Sequence, residues 1–460
     1  MKQSNLSDYV QYFTEYTELR VQENRENLIV MVNGDLMRNE KVTKSGVSAR
    51  IYKNGVWGFA SNPEINENTP KEVVESATKN AQFLHKKIKK DPLQLASRNG
   101  SETHDFSTKK AKWSQKELIE FLQTVDQYIV ENCKNLISRT IVIKTLDMEK
   151  SLITSDQTNS FSMIPRAFIV VELAMADKES QPIKLYDVFG DFGQFEDAFT
   201  TPEALYEKVD KVYEQLLKKV TGIYPKAGIH NCILDADLAG ILAHEAIGHT
   251  TEADLVLAGS VAADLMGQVV ASPLVTLVDF AHTAYGKTCP VPVYIDDEGV
   301  KAEDAMIIEE GILKSYMHNK DSAQQFQMPL TGNARAMHFF DEPLIRMRNT
   351  AILPGKSEFE EMIASIDDGY YLMKCSNGQA DSTSEFMFGV VQGYEVKNGK
   401  LGLALKDMTI SGIAFDVLKS VSMISDDLVW LSAGMCGKKQ LIPVGMGGPA
   451  IKCKINIGGK

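Results

Sequence analysis

The stretch ILAHEAIGHTTEAD, residues 241–254, carries two histidines, two glutamates and an aspartate on an otherwise apolar segment. In the H-E-x-x-H pattern two histidines four apart share one helix face and bind a metal between them. Here His244 and His249 are five apart. At ~100° per residue, positions four apart differ by ~40° around a regular α-helix, and positions five apart by ~140°. A regular helix would therefore point these histidines away from each other. They converge if the helix takes a π-type bulge or ends between them, and such distortions often sit at functional sites. Gly248, just before the second histidine, is open to φ values closed to other residues, so the distortion is expected there.

A lone histidine on an apolar face is usually a satisfied core residue. Two histidines with Glu245, Glu252 and Asp254 within eleven positions are harder to bury, because ionisable groups are rarely enclosed unless paired or coordinating. A catalytic zinc site typically has three protein ligands and an open position, and the helix offers two. Glu252, Asp254 or a distant residue can supply the third. Cys436, in the glycine-flanked run GMCGKKQLIPVGMGGP (434–449), suits a thiolate ligand. It equally suits a small buried hydrophobe, and spacing does not choose among these.

Outward from the motif, the second half is rich in glycine and short strand-like runs: NCILDA before the motif helix, then PLVTLVDF, PVPVYID, GVVQGYEV, LGLALKD and AIKCKINI. The first half reads as mixed α/β. LIVMVNGDL and SARIYKNGVWGFAS have hairpin character, with Asn54-Gly55 at a tight turn. A helix is expected from an N-cap at Thr69, with Pro70 at its first position and Glu72 closing a capping box, running to the lysines at 86–90. A connection at 91–112 precedes a second boxed helix at Ser114 and Glu117. Strand-like RTIVIKTL and RAFIVVELAMA follow, then a third helix from Thr201-Pro202. The break at 222–230 gives the expected organisation. It is an α+β chain with a mixed α/β domain at 1–224 and a β-rich, barrel-like or curved-sheet domain at 225–460.

The 460 residues include 44% hydrophobic and 24% charged, the balance of a soluble globular protein. A net charge of −12 argues against non-specific binding to nucleic acid or acidic membranes. MKQSNLSDYVQYFTEYTEL has no apolar core of a secretory signal, and no window approaches the ~18 apolar residues of a spanning helix. Six scattered cysteines without a C-x-x-C pair read as free thiols in a reducing, cytoplasmic compartment. Asp296-Asp297-Glu298-Gly299 reads as an acidic turn, lacking the alternating ligands of a calcium loop. GMGGP lacks the lysine and helix of a phosphate loop. His282, His318 and His338 read as structural.

HEAIGHTTEAD together with GMCGKKQLIPVGMGGP resembles the TldD/PmbA metalloprotease family, often labelled modulators of DNA gyrase. The likeness extends through DDEG (296–299), EEGILKSYMHNKDSA (309–323), LTGNARA (330–336) and RMRNTAILPG (346–355), and more weakly through SGVSARIYKNGVWGFAS (45–61). The complete motif set resembles the TldD-type, metal-binding branch. The resemblance implies one zinc held by His244, His249 and Cys436, with Glu245 as general base in the hydrolysis of unfolded or small peptides. It also implies a homodimer, or a heterodimer with a PmbA-like member. Glu252 and Asp254 are then placed behind the ligands, orienting one of them or holding the helix end. TTEAD after the second histidine departs from the better-known form and bears on substrate preference. The readings that compete with an enzyme are a non-catalytic peptide-binding or assembly subunit and a regulator of DNA gyrase. The acidic chain gives no motif for direct nucleic-acid binding.

Overall fold

The computed structural model describes residues 6–458, so the opening of the stretch read for a secretory signal lies outside it. The first half is built on a strongly hydrogen-bonded antiparallel sheet. Its order is Val56–Asn62, Asp35–Lys53, Tyr16–Val32, Leu136–Thr154, Asn159–Ala176 and Pro182–Phe192, with Thr103–Asp105 added parallel to Asn159–Ala176. Strand alternation gives this sheet two different faces. Leu19, Ile29, Ile141, Ile143, Ile169 and Val171 lie under the helices Thr69–Lys87, Gln115–Asn132 and Tyr206–Val220. The opposite face carries Glu18, Arg20, Gln22, Asn24 and Arg50, all buried against the second half.

That buried polar face meets the acidic run at 296–298. Asp297 pairs with Arg20 at 3.3 Å and Lys150 at 2.6 Å, and Glu298 with Arg50. The chain does turn there, with Gly299 at φ +78°. The turn is enclosed, however, and it joins the two halves through ion pairs. Charges buried this way persist because each has a partner.

The second half contains a closed barrel. Asp368–Ala380 pairs with Gly228–Leu234, which continues to Ile451–Gly458, Met408–Ile413 and Glu385–Lys397, and this last strand returns to Asp368–Ala380. The architecture is thus α+β with a barrel in the β-rich half, as the patterning indicated. A second sheet, ordered Ile312–Leu313, Ala305–Glu309, Leu277–Phe280, Asn349–Ile352, Gly445–Gly448 and Val429–Leu431, lies beside the barrel. The helix Ala236–Ile241 leaves strand Gly228–Leu234 through Asp235, whose side chain accepts the Leu238 N–H as an N-cap. Leu238, Ala239 and Leu242 join a single core with Leu372, Phe388 and Ile410 of the barrel and Leu277, Ile308 and Ile352 of the sheet. A Cβ on Gly240 would stand 2.9 Å from the backbone nitrogen of Gly447, so glycine sets this close approach.

Several local expectations are corrected. The first helix spans Thr69–Lys87 with Asn68 at the N-cap position. Its free N–H groups at Asn68 and Thr69 are taken by the Asn66 side chain, not by a box at Thr69. PVPVYID forms no strand, since Pro290 and Pro292 remove two ladder donors. It is a loop with Tyr294 stacked 3.6 Å from His104 and 4.5 Å from His282. The box at Ser114 and Glu117 is formed in full. Among the described residues no helix is long and apolar enough to cross a membrane.

Candidate metal centre

The motif helix changes its winding where the spacing requires it. Ala236–Ile241 is α-helical, Leu242–Gly248 is a π-helix, and His249–Thr251 closes as a 3-10 turn. The His249 N–H donates to the His244 carbonyl, an i→i−5 bond. The wider turn carries residues five apart onto one side of the helix, so the two imidazoles meet edge to face with centroids 5.5 Å apart. Gly248 stands at this transition for a reason the sequence did not show. Its φ is −57°, an ordinary helical value. What excludes a side chain is space, because a Cβ would overlap the sulfur of Met347.

Cys436 arrives on the short hairpin Met435–Lys438 and Gln440–Pro443. The buried Arg346 holds this hairpin from beneath, donating to the carbonyls of Cys436 at 2.6 Å and Gln440 at 2.9 Å. The Cys436 sulfur lies 3.2 Å from His249 Nε2. One donor atom each of His244, His249 and Cys436 falls within a 4.8 Å cluster. His244 is fully buried, and neither ring nitrogen has a hydrogen-bond partner. An enclosed imidazole without a partner is costly unless something else binds it. Two imidazoles and a thiol are a donor set that suits zinc, and the residues present fit such an ion.

The two local candidates for a third ligand sit elsewhere. Glu252 is fully buried and approaches the other side of the His249 ring, with Oε2 2.9 Å from Nδ1. Asp254 binds the Lys438 ammonium at 2.9 Å. Lys438, which the sequence reading passed over, also reaches Glu252 at 3.3 Å. A signal for it existed, since residues i and i+2 share a strand face and Lys438 follows Cys436 by two. Glu245 projects into a cleft of about 670 Å³ that is also lined by His249, Gly378, Gln379 and Ala380. Its carboxylate lies 3.7 Å from His249 Nε2.

The electrostatics separate Cys436 from every other cysteine. Burial pushes its thiol up, but the imidazoles of His244 and His249 outweigh that and bring it down to about 4. Burial opposes the charged form of His249, yet Cys436 and Glu252 raise it to about 10. Glu252 is held below its ordinary value despite burial, by His249 and Lys438. Burial pushes Cys133 up to about 11, and Cys289, Cys375 and Cys453 to about 12. Among the described residues, no other histidine joins a cluster of three metal-ligating side chains. His318 is buried beside Ser322 at 3.0 Å, with its pKa lowered to about 4 by burial.

Similarity to known proteins accords with this geometry. The PmbA/TldA metallopeptidase C-terminal domain matches residues 227–459, and domain 1 of the same family matches residues 17–81. A metalloprotease of Methanocaldococcus jannaschii is 32% identical over 455 residues, covering 95% of this chain and 96% of that protein. A zinc metalloprotease TldD homolog of Saccharolobus solfataricus is 28% identical over 420 residues, covering 90% of each. The fold matches TldE of Thermococcus kodakarensis with a TM-score of 0.76 at 18% identity, over 99% of both chains. It also matches a Thermotoga maritima protein described as a candidate modulator of a DNA gyrase, with a TM-score of 0.77 at 20% identity over 96% of both. The chain belongs to the PmbA/TldA metallopeptidase family.

Proposed function

We propose that this chain is a zinc-dependent peptidase acting on extended segments of unfolded or small peptides. In this reading His244, His249 and Cys436 hold one zinc ion and Glu245 is the general base. The observation that carries it is the fully buried His244, with both ring nitrogens unpartnered, beside the His249–Cys436 contact. Bound there, zinc supplies Lewis-acid polarisation of a scissile carbonyl and acidifies water. Glu245 faces the cleft, takes the proton of the attacking water and passes it to the leaving amide nitrogen. Glu252 fixes the His249 ring through Nδ1, which turns Nε2 toward the donor cluster.

The cleft supports an extended substrate. Gly378, Gln379 and Ala380 pair with strand Glu385–Lys397 on one side only, among the described residues. A peptide laid against their open edge gains backbone hydrogen bonds with little dependence on its side chains. The partner in this reading is a second family member, as a homodimer or as a heterodimer with a PmbA-like subunit. The unbonded thiols fit a reducing cytoplasm.

Cleavage of an unstructured peptide, followed before and after chelation and zinc return, tests the proposal. Activity lost on chelation and restored by zinc is expected. Cleavage indifferent to chelation overturns it, and stoichiometric zinc without cleavage, alone or with a partner, favours a peptide-holding role instead.

A further inference from the structure

Glu252 is enclosed with one oxygen on His249 and its other oxygen without a partner. The cation facing it comes from the opposite side of the centre. Lys438 lies on the same hairpin as Cys436 and on the same strand face, two residues on. Its ammonium meets Glu252 at 3.3 Å, both oxygens of Asp254 at 3.0 and 2.9 Å, and the Ile345 carbonyl at 2.8 Å. An ammonium has three protons to donate, and these acceptors occupy them. Although Lys438 borders the cleft, it has no donor left for a peptide.

The donor set is thus assembled from two pieces of chain. The π-helical segment carries both histidines, and the hairpin carries the thiol. Arg346 grips the hairpin through its backbone carbonyls and fixes its height over the sheet. Among the described residues Arg346 donates no hydrogen bond to the segment after His249. Lys438 does, since its partners Glu252 and Asp254 belong to the segment immediately after His249. One ion pair ties Cys436 to the carboxylate that orients His249.

We propose that Lys438 is a positioning residue for the metal centre, acting through Glu252 and Asp254 to set His249 and Cys436 at the separation one ion needs. The proposal rests on the metal reading of the site and adds to it a residue that touches neither metal nor substrate. Residues that orient metal ligands typically cost ~10–100-fold in metal affinity when replaced. Without Lys438, the buried Glu252 loses its ammonium partner, and the hairpin loses its link to the helix end.

The test measures zinc affinity of the full-length chain by competition with a chromophoric chelator, and the thiolate-to-cobalt charge-transfer band of the cobalt-loaded chain. K438M is expected to weaken zinc binding ~10–100-fold and to shift or diminish that band. K438R, which keeps the charge, is expected to retain most of the affinity. In an E252Q/D254N background K438M should change affinity by no more than about twofold, the scatter of independent sites, because the lysine acts through those two carboxylates. If K438M does not accumulate folded, K438Q takes its place in the same comparisons. Wild-type affinity in the uncharged variant overturns the proposal. So does a loss in K438R as large as in K438M, or full additivity with the E252Q/D254N pair. C436S separates this failure from failure of the metal reading, since wild-type affinity in C436S removes the site itself.

Discussion

Cys436 Sγ lies 3.2 Å from Nε2 of His249, a residue 187 positions earlier in the chain. Two ligands on one tetrahedral zinc, with bonds of ~2.0–2.3 Å, stand roughly 3.5 Å apart. The contact is therefore close to the edge length of a coordination tetrahedron before any ion is considered. It is produced by the barrel, whose strand Gly228–Leu234 delivers the motif helix, and by the neighbouring sheet, beside whose strand Gly445–Gly448 the Cys436 hairpin is placed.

Glu245 carries the proton transfer in this account and holds no ligand position. Glu245→Gln keeps nearly the same shape and is expected to bind zinc as wild type does. Its kcat/KM on an unstructured peptide should fall by ~10²–10⁴. Steady-state kinetics on the zinc-quantified variant decide the matter. Cleavage at the wild-type rate would remove Glu245 from the mechanism.

Gly248 is constrained by Met347. Gly248→Ala forces a methyl into the Met347 sulfur, and such overpacking costs ~1–3 kcal/mol. Denaturant unfolding of the variant should show this loss, and the same substitution should cost less in a Met347→Ala background, where the clash is gone. An alanine variant as stable as wild type would mean that the helix and Met347 are not packed as described.

The metal-free chain should contain a single thiolate at neutral pH. Cys436 is lowered to about 4, while the other five thiols are raised. Ultraviolet absorbance of the thiolate is expected to persist down to pH about 4 and to be absent in C436S. The stability of the metal-free chain follows with a definite sign. The Cys436 contribution is full above the ordinary thiol value of 9.0 and drains as pH falls toward about 4. The His249 contribution is full below 6.5 and is lost as pH rises through about 10. Stability should therefore fall on acidification below 6.5, where only the thiolate loss operates, and fall again above 9.0 as the imidazolium deprotonates. The two effects oppose each other between these limits. A metal-free chain that gains stability from pH 6.5 down to about 4 would contradict the pairing.

The sequence was most legible where one residue type has one local use. The five-residue histidine spacing demanded a distorted helix, and the π-helix Leu242–Gly248 is that distortion. The box at Ser114 and Glu117, and the turn at Asn54-Gly55 with both φ positive, were likewise local facts. Reading failed where long-range contacts decided. Gly248 was assigned a backbone role, but the reason lies in Met347, a residue 99 positions away. The choice among Glu252, Asp254 and Cys436 could not be made from spacing, because closure of the barrel and its neighbouring sheet brings the hairpin over the helix. The acids at 296–298 read as an acidic turn, and their burial was not legible because the cations of Asp297 and Glu298, namely Arg20, Lys150 and Arg50, lie in the first half. Thr69 lost the cap because the helix begins one residue earlier, with Asn68 at the N-cap position and the Asn66 side chain accepting the Asn68 and Thr69 N–H groups.

In the proposed reading one ion is held jointly by the helix and the hairpin. X-ray absorption at the zinc edge of the purified full-length chain is the decisive test, with C436S as its partner measurement. About one zinc per chain is expected, with one sulfur ligand at ~2.3 Å and two imidazole nitrogens at ~2.0–2.1 Å, the sulfur shell vanishing in C436S. A zinc shell made only of nitrogen and oxygen in the wild-type chain would contradict it.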